Sequence, residues 1–313
     1  MIHVVHQPIV NNKWDRFKNK GMIQLFFALL FLILALSISL YSYFYEKRNV
    51  ITTLLLFVFS IISLYYWYIA ALSIFLLLFY KRYDYGEFVT TSMFTAVLLS
   101  WFLFNLFLLN IPYLFYISLI SVISICFLAI FGIFEKRLKQ YLVLSNIIQI
   151  LFVVLDLSVT KMYGDYGVLS TIQIFNYTFA GLTFFLTIGI FARDKNLLSQ
   201  LEGSFFASRW DDIFATIGCL SLAGLPAFNM FVSEWFLFTH AFAINPIISI
   251  LGIFAALLLF IMYFKVVYVL LVGEGKTKKI PIVLTLVNGI LAFICILLGL
   301  LPQIQLFILS SLI

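Results

Sequence analysis

Nine apolar runs, near 22–44, 50–80, 88–109, 112–134, 140–157, 169–192, 210–240, 246–272 and 280–311, take up most of the 313 residues. Runs of about 20 apolar residues cross roughly 30 Å of hydrocarbon as helices. In lipid, only helices and closed barrels satisfy every backbone group internally. A barrel needs period-two alternation of polar and apolar residues, and these runs show none. The expected fold class is therefore an all-α polytopic membrane protein with about nine transmembrane helices. Only 10% of the residues are charged, against about a quarter in soluble domains. Residues 1–21 form a basic, polar N-terminal segment, and 22–313 a single transmembrane domain.

Two runs, 50–80 and 210–240, are about 31 residues long, or about 46 Å as a straight helix. They must tilt, protrude or be interrupted within the membrane, and both are expected to be discontinuous. The last run is trimmed by Pro281 and Pro302. Nine single crossings put fifteen Lys and Arg on one side and three on the other, with Lys265 inside a span, which accounts for all 19. By the positive-inside rule, the N-terminus lies on the basic, inner side. The net charge of +6 is then a topology signal, and nucleic-acid binding is not needed to explain it. Cys126, Cys219 and Cys295 stand isolated in apolar runs, which suits neither a disulfide framework nor a metal site. No glycine-rich nucleotide motif is present.

The 210–240 run raises a physical question. Gly224-Leu225-Pro226 breaks it, and eight residues past the proline stands Glu234. An ionisable group near the midplane costs several kcal/mol unless it is solvated or paired, so it reads first as functional. A break frees backbone groups, which are tolerated only where they face protein or a water-filled cavity. Gly224 and Pro226 are the candidate helix break, and Glu234 the candidate proton-handling group. The bland reading of Glu234 is a structural acid paired with a lysine.

"LSLAGLPAFNMFVSEWFLF" (Leu220–Phe238) resembles the discontinuous-helix motif of the antiporter-like proton-translocating subunits: subunits 2, 4 and 5 of the NADH dehydrogenase of respiratory complex I, with relatives in membrane-bound hydrogenases and cation/proton antiporters. Family members read roughly L-S-x-x-G-[IL]-P-x-x-x-x-F-x-x-[KE]-[FW], and Glu234 holds the ionisable position. "EKRLKQYLVLSNIIQIL" (Glu135–Leu151) resembles the family's basic-start helix, with Lys139, Tyr141 and Ser145 matching. "DKNLLSQLEGSF" (Asp194–Phe205) resembles the loop before the broken helix, "MYFKVVYVLL" (Met262–Leu271) the helix after it, and "LLGLLPQ" (Leu297–Gln303) the end of the last helix. The nine runs match the last nine of a fourteen-helix subunit, so the family's first five helices are missing. The family's first half carries an intramembrane glutamate and lysine, whereas 50–80 and 88–109 hold no Lys, His, Asp or Glu.

The resemblance implies proton translocation through Glu234, with Lys265, Lys139 and His240 as further candidates. Each has a plainer alternative. Lys265 can snorkel to the inner surface or partner Glu234; Lys139 can anchor topology; His240 can be an interfacial histidine. Asp156 and Lys161 are expected as a solvated pair or a partner contact, and Asp211 and Asp212 as caps of the broken helix. The Tyr65-Tyr66-Trp67-Tyr68 cluster fits an interruption or a buried helix contact.

The function this implies is that of a membrane-arm subunit of NADH:ubiquinone oxidoreductase, most like subunit 2, with subunit 4 open because Glu occupies position 234. Such a chain belongs to an enzyme complex but holds no catalytic redox site: NAD, FMN, iron–sulfur clusters and quinone belong to other subunits, and no cofactor or metal is expected here. Its partners would be other membrane-arm subunits, lipid, and a separate chain supplying the missing helices. It would reside in the mitochondrial inner membrane or, alternatively, a bacterial cytoplasmic membrane. A cation/proton antiporter or hydrogenase subunit, and a degenerate scaffold subunit, are the alternatives.

Overall fold

A computed structural model describes residues 13–46, 50–74, 76, 84–109, 111–164, 168–192, 195–202, 209–272 and 280–312. Most of the expected 1–21 segment and the basic residues Lys47, Arg48, Lys81, Arg82, Arg193, Lys276, Lys278 and Lys279 lie outside the described residues or have no described side chain. Among the described residues, eleven α-helices form one bundle: α1 (Lys13–Tyr41), α2 (Val50–Tyr65), α3 (Tyr85–Leu108), α4 (Leu114–Phe134), α5 (Leu138–Tyr163), α6 (Val168–Ala192), α7 (Arg209–Leu222), α8 (Asn229–Ile244), α9 (Pro246–Leu271), α10 (Ile282–Leu300) and α11 (Pro302–Leu312). Among the described residues, seven stretches, all but α2, α7, α8 and α11, are long and apolar enough to cross a membrane. The all-α polytopic class holds.

Both 31-residue runs are interrupted. The first breaks at Tyr66, after α2, and resumes as a 3₁₀ turn over Trp67–Ser73. The second breaks at 223–228, between α7 and α8. The final run, expected as one trimmed helix, divides at Leu301 because Pro302 has no N–H to extend α10.

The interior is more polar than the rim, as befits a bundle whose outside is as greasy as lipid. α6 is central: 94% of its span is buried, against 33% for α4 and α10. It brings Gln173, Asn176, Thr183 and Thr187 inside. Around it pack α3, α5, α7, α8 and α10. At the first break, the freed carbonyls are met by side chains from other helices. Trp101 Nε1 of α3 donates to the Ser63 carbonyl at 2.8 Å, and Gln24 Nε2 of α1 to the Leu64 carbonyl at 3.0 Å.

Candidate functional site

The second break is built from three neighbouring residues. Gly224 takes a left-handed backbone, φ +66°, which a residue without Cβ adopts freely. Its N–H bonds the Ser221 carbonyl at 3.0 Å, and Leu225 N–H reaches back to Leu220 at 3.2 Å. This crossed pair is a Schellman closure of α7. Leu222 would next expect the N–H of residue 226, which is proline and has none. Gln149 Nε2 of α5 approaches that orphan carbonyl instead, at 3.5 Å. Gly224 also lies against the candidate acid, Glu234. A Cβ built there would lie 2.8 Å from the Glu234 carboxyl carbon.

Glu234, on α8, is 4% exposed. No salt bridge or hydrogen bond holds its carboxylate among the described residues. It lines a cavity of about 610 Å³ between α8 and α9. Among the described residues no lysine pairs with it, as the bland reading would require.

A file of buried polar groups runs from the break through the bundle. Tyr141, Ser145 and Gln149 recur every four residues on one face of α5, a length of about 12 Å. Ser145 Oγ and the Tyr263 hydroxyl of α9 are 2.7 Å apart, and Tyr141 donates to the Met262 carbonyl at 3.0 Å. Tyr263 lies within electrostatic reach of Glu234. Beside this file, Tyr177 of α6 donates to Asn146 Oδ1. Gln149 Oε1 and Asn146 Nδ2 are buried without a hydrogen-bond partner among the described residues.

On the opposite side of the break, neutral amides hold the start of α8. Asn176 Nδ2 donates to the Asn229 carbonyl at 2.8 Å, and Asn229 Nδ2 returns a bond to the Asn176 carbonyl at 2.9 Å. Ser221 Oγ meets Asn229 Oδ1, and Gln305 of α11 accepts from Asn176 at 3.0 Å. This lattice locks the two half-helices to the central α6.

The other predicted residues are not gathered around Glu234. α8 and α9 form a hairpin at Asn245, so the residue opposite Glu234 is near 256; Lys265 lies about nine residues, roughly 13 Å, farther along. Its Nζ donates to the Ile133 and Glu135 carbonyls at 2.8 and 2.7 Å. Of the two alternatives open for Lys265, these contacts match a lysine held near the helix end: it caps the C-terminus of α4, where a cation is favoured. Lys139 stands over the Tyr85 ring, 4.9 Å from its centroid. His240 Nδ1 donates to the Phe236 carbonyl at 2.7 Å, and its ring meets Tyr163 edge-on. Because a carbonyl can only accept, the neutral ring keeps Nε2 as its acceptor.

Two expectations are corrected. Asp156 is 2% exposed and so is not a solvated acid. Lys161 donates to the Phe107 and Leu109 carbonyls at the end of α3, a second lysine serving as a helix cap. Asp211 is more than a cap: it accepts from Thr285 at 2.9 Å and Asn288 at 3.4 Å, tying α7 to α10.

Sequence reasoning missed Gln149, Tyr263, Asn146, Tyr177, Asn176, Asn229 and Gln305 as members of a site. Among them only the i, i+4 series in α5 has a signal in the chain itself. The rest meet through tertiary packing.

No protein-family model and no curated protein matches the chain. Solved structures do. A chain of the Mrp complex from Dietzia sp. DQ12-45-1b superposes with a TM-score of 0.69 at 13% identity, covering 93% of this chain and 66% of that one. A chain of the membrane-bound sulfane sulfur reductase, an archaeal respiratory membrane complex, gives 0.67 at 16%, covering 96% and 66%. A chain of respiratory complex I from Thermus thermophilus with bound NADH gives 0.64 at 14%, covering 96% and 68%. The chain spans about two thirds of the length of these structures, and what it shares with them is the fold of a membrane subunit in a multisubunit complex.

Proposed function

We propose that this chain is a proton-translocating, antiporter-like subunit of an energy-converting membrane complex, and specifically a membrane-arm subunit of complex I most like subunit 2. One observation carries the reading: a helix broken at Gly224 and Pro226 sets the buried carboxyl of Glu234 against the break. The buried file of Gln149, Tyr263, Ser145 and Tyr141 leads away from it. In this reading Glu234 accepts and releases the proton. Tyr263 and Ser145 pass it along a hydrogen-bonded pair, with internal water completing the file toward the end of the bundle where Lys139 and Lys265 lie. Lys265 sets the end of α4, and His240 offers Nε2 near the opposite end of α8. The redox chemistry, with its NAD, flavin, iron–sulfur and quinone sites, is assigned to other subunits. Other membrane-arm subunits are its partners in the complex. The host membrane is mitochondrial or bacterial.

The likeness to a chain of the Mrp complex favours a second reading, a subunit of a cation/proton antiporter. Purification from mildly solubilised membranes, with mass spectrometry of the companions, tests the assignment. The expected companions are NADH-oxidising subunits with flavin and iron–sulfur clusters. Companions confined to antiporter-like chains would favour the second reading, and a chain that purifies alone would contradict both.

A further inference from the structure

The cavity that Glu234 lines has the make-up of a ligand site. It lies between α8 and α9, open on the flank of the bundle, and its volume of about 610 Å³ falls in the range of small-molecule pockets. Phe231, Trp235, Phe238 and Phe242 face it from α8, and Ile253, Leu257 and Phe260 from α9. Trp235, Ile253 and Leu257 are 61%, 48% and 57% exposed, so the mouth is apolar. Two lining hydroxyls are already engaged: Thr239 donates to the Trp235 carbonyl at 2.7 Å, and Ser249 to that of Phe238 at 2.9 Å. Among the described residues, no Lys, Arg or His lines the cavity. Glu234 is the ionisable residue among the described lining residues of this aromatic chamber, and no cation from the described residues meets it.

From this geometry we infer that the groove binds a lipophilic amine as its ammonium ion, entering sideways from the membrane. The ammonium makes a charge-assisted hydrogen bond to Glu234. The aromatic faces around it attract the cation and cover the hydrophobic body. A phosphate or fatty acid headgroup is repelled by the same carboxylate. One lysine from a neighbouring helix matches the charge but leaves most of the volume unfilled.

Although the site shares Glu234 with the proposed proton path, its occupancy is read by binding alone. The full chain, or the complex that contains it, is placed in nanodiscs of phosphatidylcholine and titrated with a fluorescent long-chain primary amine. The probe's control is an alcohol with the same body. The amine should bind saturably and at least about tenfold more tightly than the alcohol. Glu234→Gln should make the two probes equal. Ile253→Trp, which fills the mouth and leaves the acid untouched, should weaken amine binding by at least about tenfold. Leu257→Trp provides the same test should the first variant misfold. Equal binding of amine and alcohol to the native protein would overturn the inference, as would amine binding unaffected by both tryptophans. So would an amine that binds the isolated chain but not the intact complex, since a partner subunit would then own the groove. Pumping can be lost in Glu234→Gln whichever way the binding falls, so the two conclusions fail separately.

Discussion

Gly224 carries two demands at once. Its φ of +66° disfavours any side chain, and a Cβ there would press on the Glu234 carboxyl carbon at 2.8 Å. Gly224→Ala should therefore lower stability by about 1–3 kcal/mol, read as a fall in the melting temperature of the purified protein. The same change should impair translocation beyond its effect on the amount of protein, because it moves the acid itself. Tyr263 is the complementary case. Tyr263→Phe keeps the ring and deletes the hydroxyl that meets Ser145 at 2.7 Å. If that hydroxyl relays protons, pumping should fall by on the order of tenfold or more, with assembly close to native. Reconstituted vesicles with a pH-sensitive dye distinguish this from a structural hydroxyl, whose loss would lower stability and leave the rate per molecule intact.

At the scale of elements, each broken helix survives because other helices satisfy what the break frees. At the second break Gln149 and the Schellman closure do this; at the first, Trp101 and Gln24 do. Trp101→Phe keeps most of the buried ring but strands the Ser63 carbonyl, an unmet buried acceptor costing about 1–3 kcal/mol. The expected outcome is a lower melting temperature. An unchanged one would show that the carbonyl finds another donor. The two breaks were legible in the chain for different reasons. Gly224-Leu225-Pro226 announces its turn chemically, since glycine takes the left-handed cap and proline withholds a donor. The first break was legible from length and from aromatic residues misplaced in mid-span, but its residue was not, because Tyr66 has no special backbone chemistry. The capping partners were invisible: Trp101 and Ser63 are 38 residues apart, and nothing local joins them. The places of Lys265 and Lys161 were hidden for the same reason. A lysine in an apolar run signals a charge that needs a home, and only the packing shows that the home is a helix C-terminus.

Across the described residues, polarity differs from a soluble domain: Asn, Gln, Thr and Ser are buried alongside the apolar core around α6, and the exposed surface is dominated by large apolar side chains. That difference was legible as nine apolar runs. The polar file was not, because composition along a run does not say which face turns inward. The flank of α2 and its 3₁₀ extension is exposed and aromatic, with Tyr65 76% and Tyr68 58% exposed. If a partner chain covers it, a photo-crosslinking amino acid at Ile51 or Leu55 should capture one protein species in native membranes. Crosslinks to lipid alone would contradict a covering subunit.

The central claim is that Glu234 handles the translocated proton, and protons moved per electron in purified Glu234→Gln complex test it most directly. Glutamine keeps the size and hydrogen-bonding capacity of the side chain, and no lysine among the described residues loses an ion pair. A neutral amide is also cheaper than a carboxylate in the membrane, so assembly should be near normal. The account predicts that pumping falls while the complex still forms; native stoichiometry in the assembled mutant would contradict it.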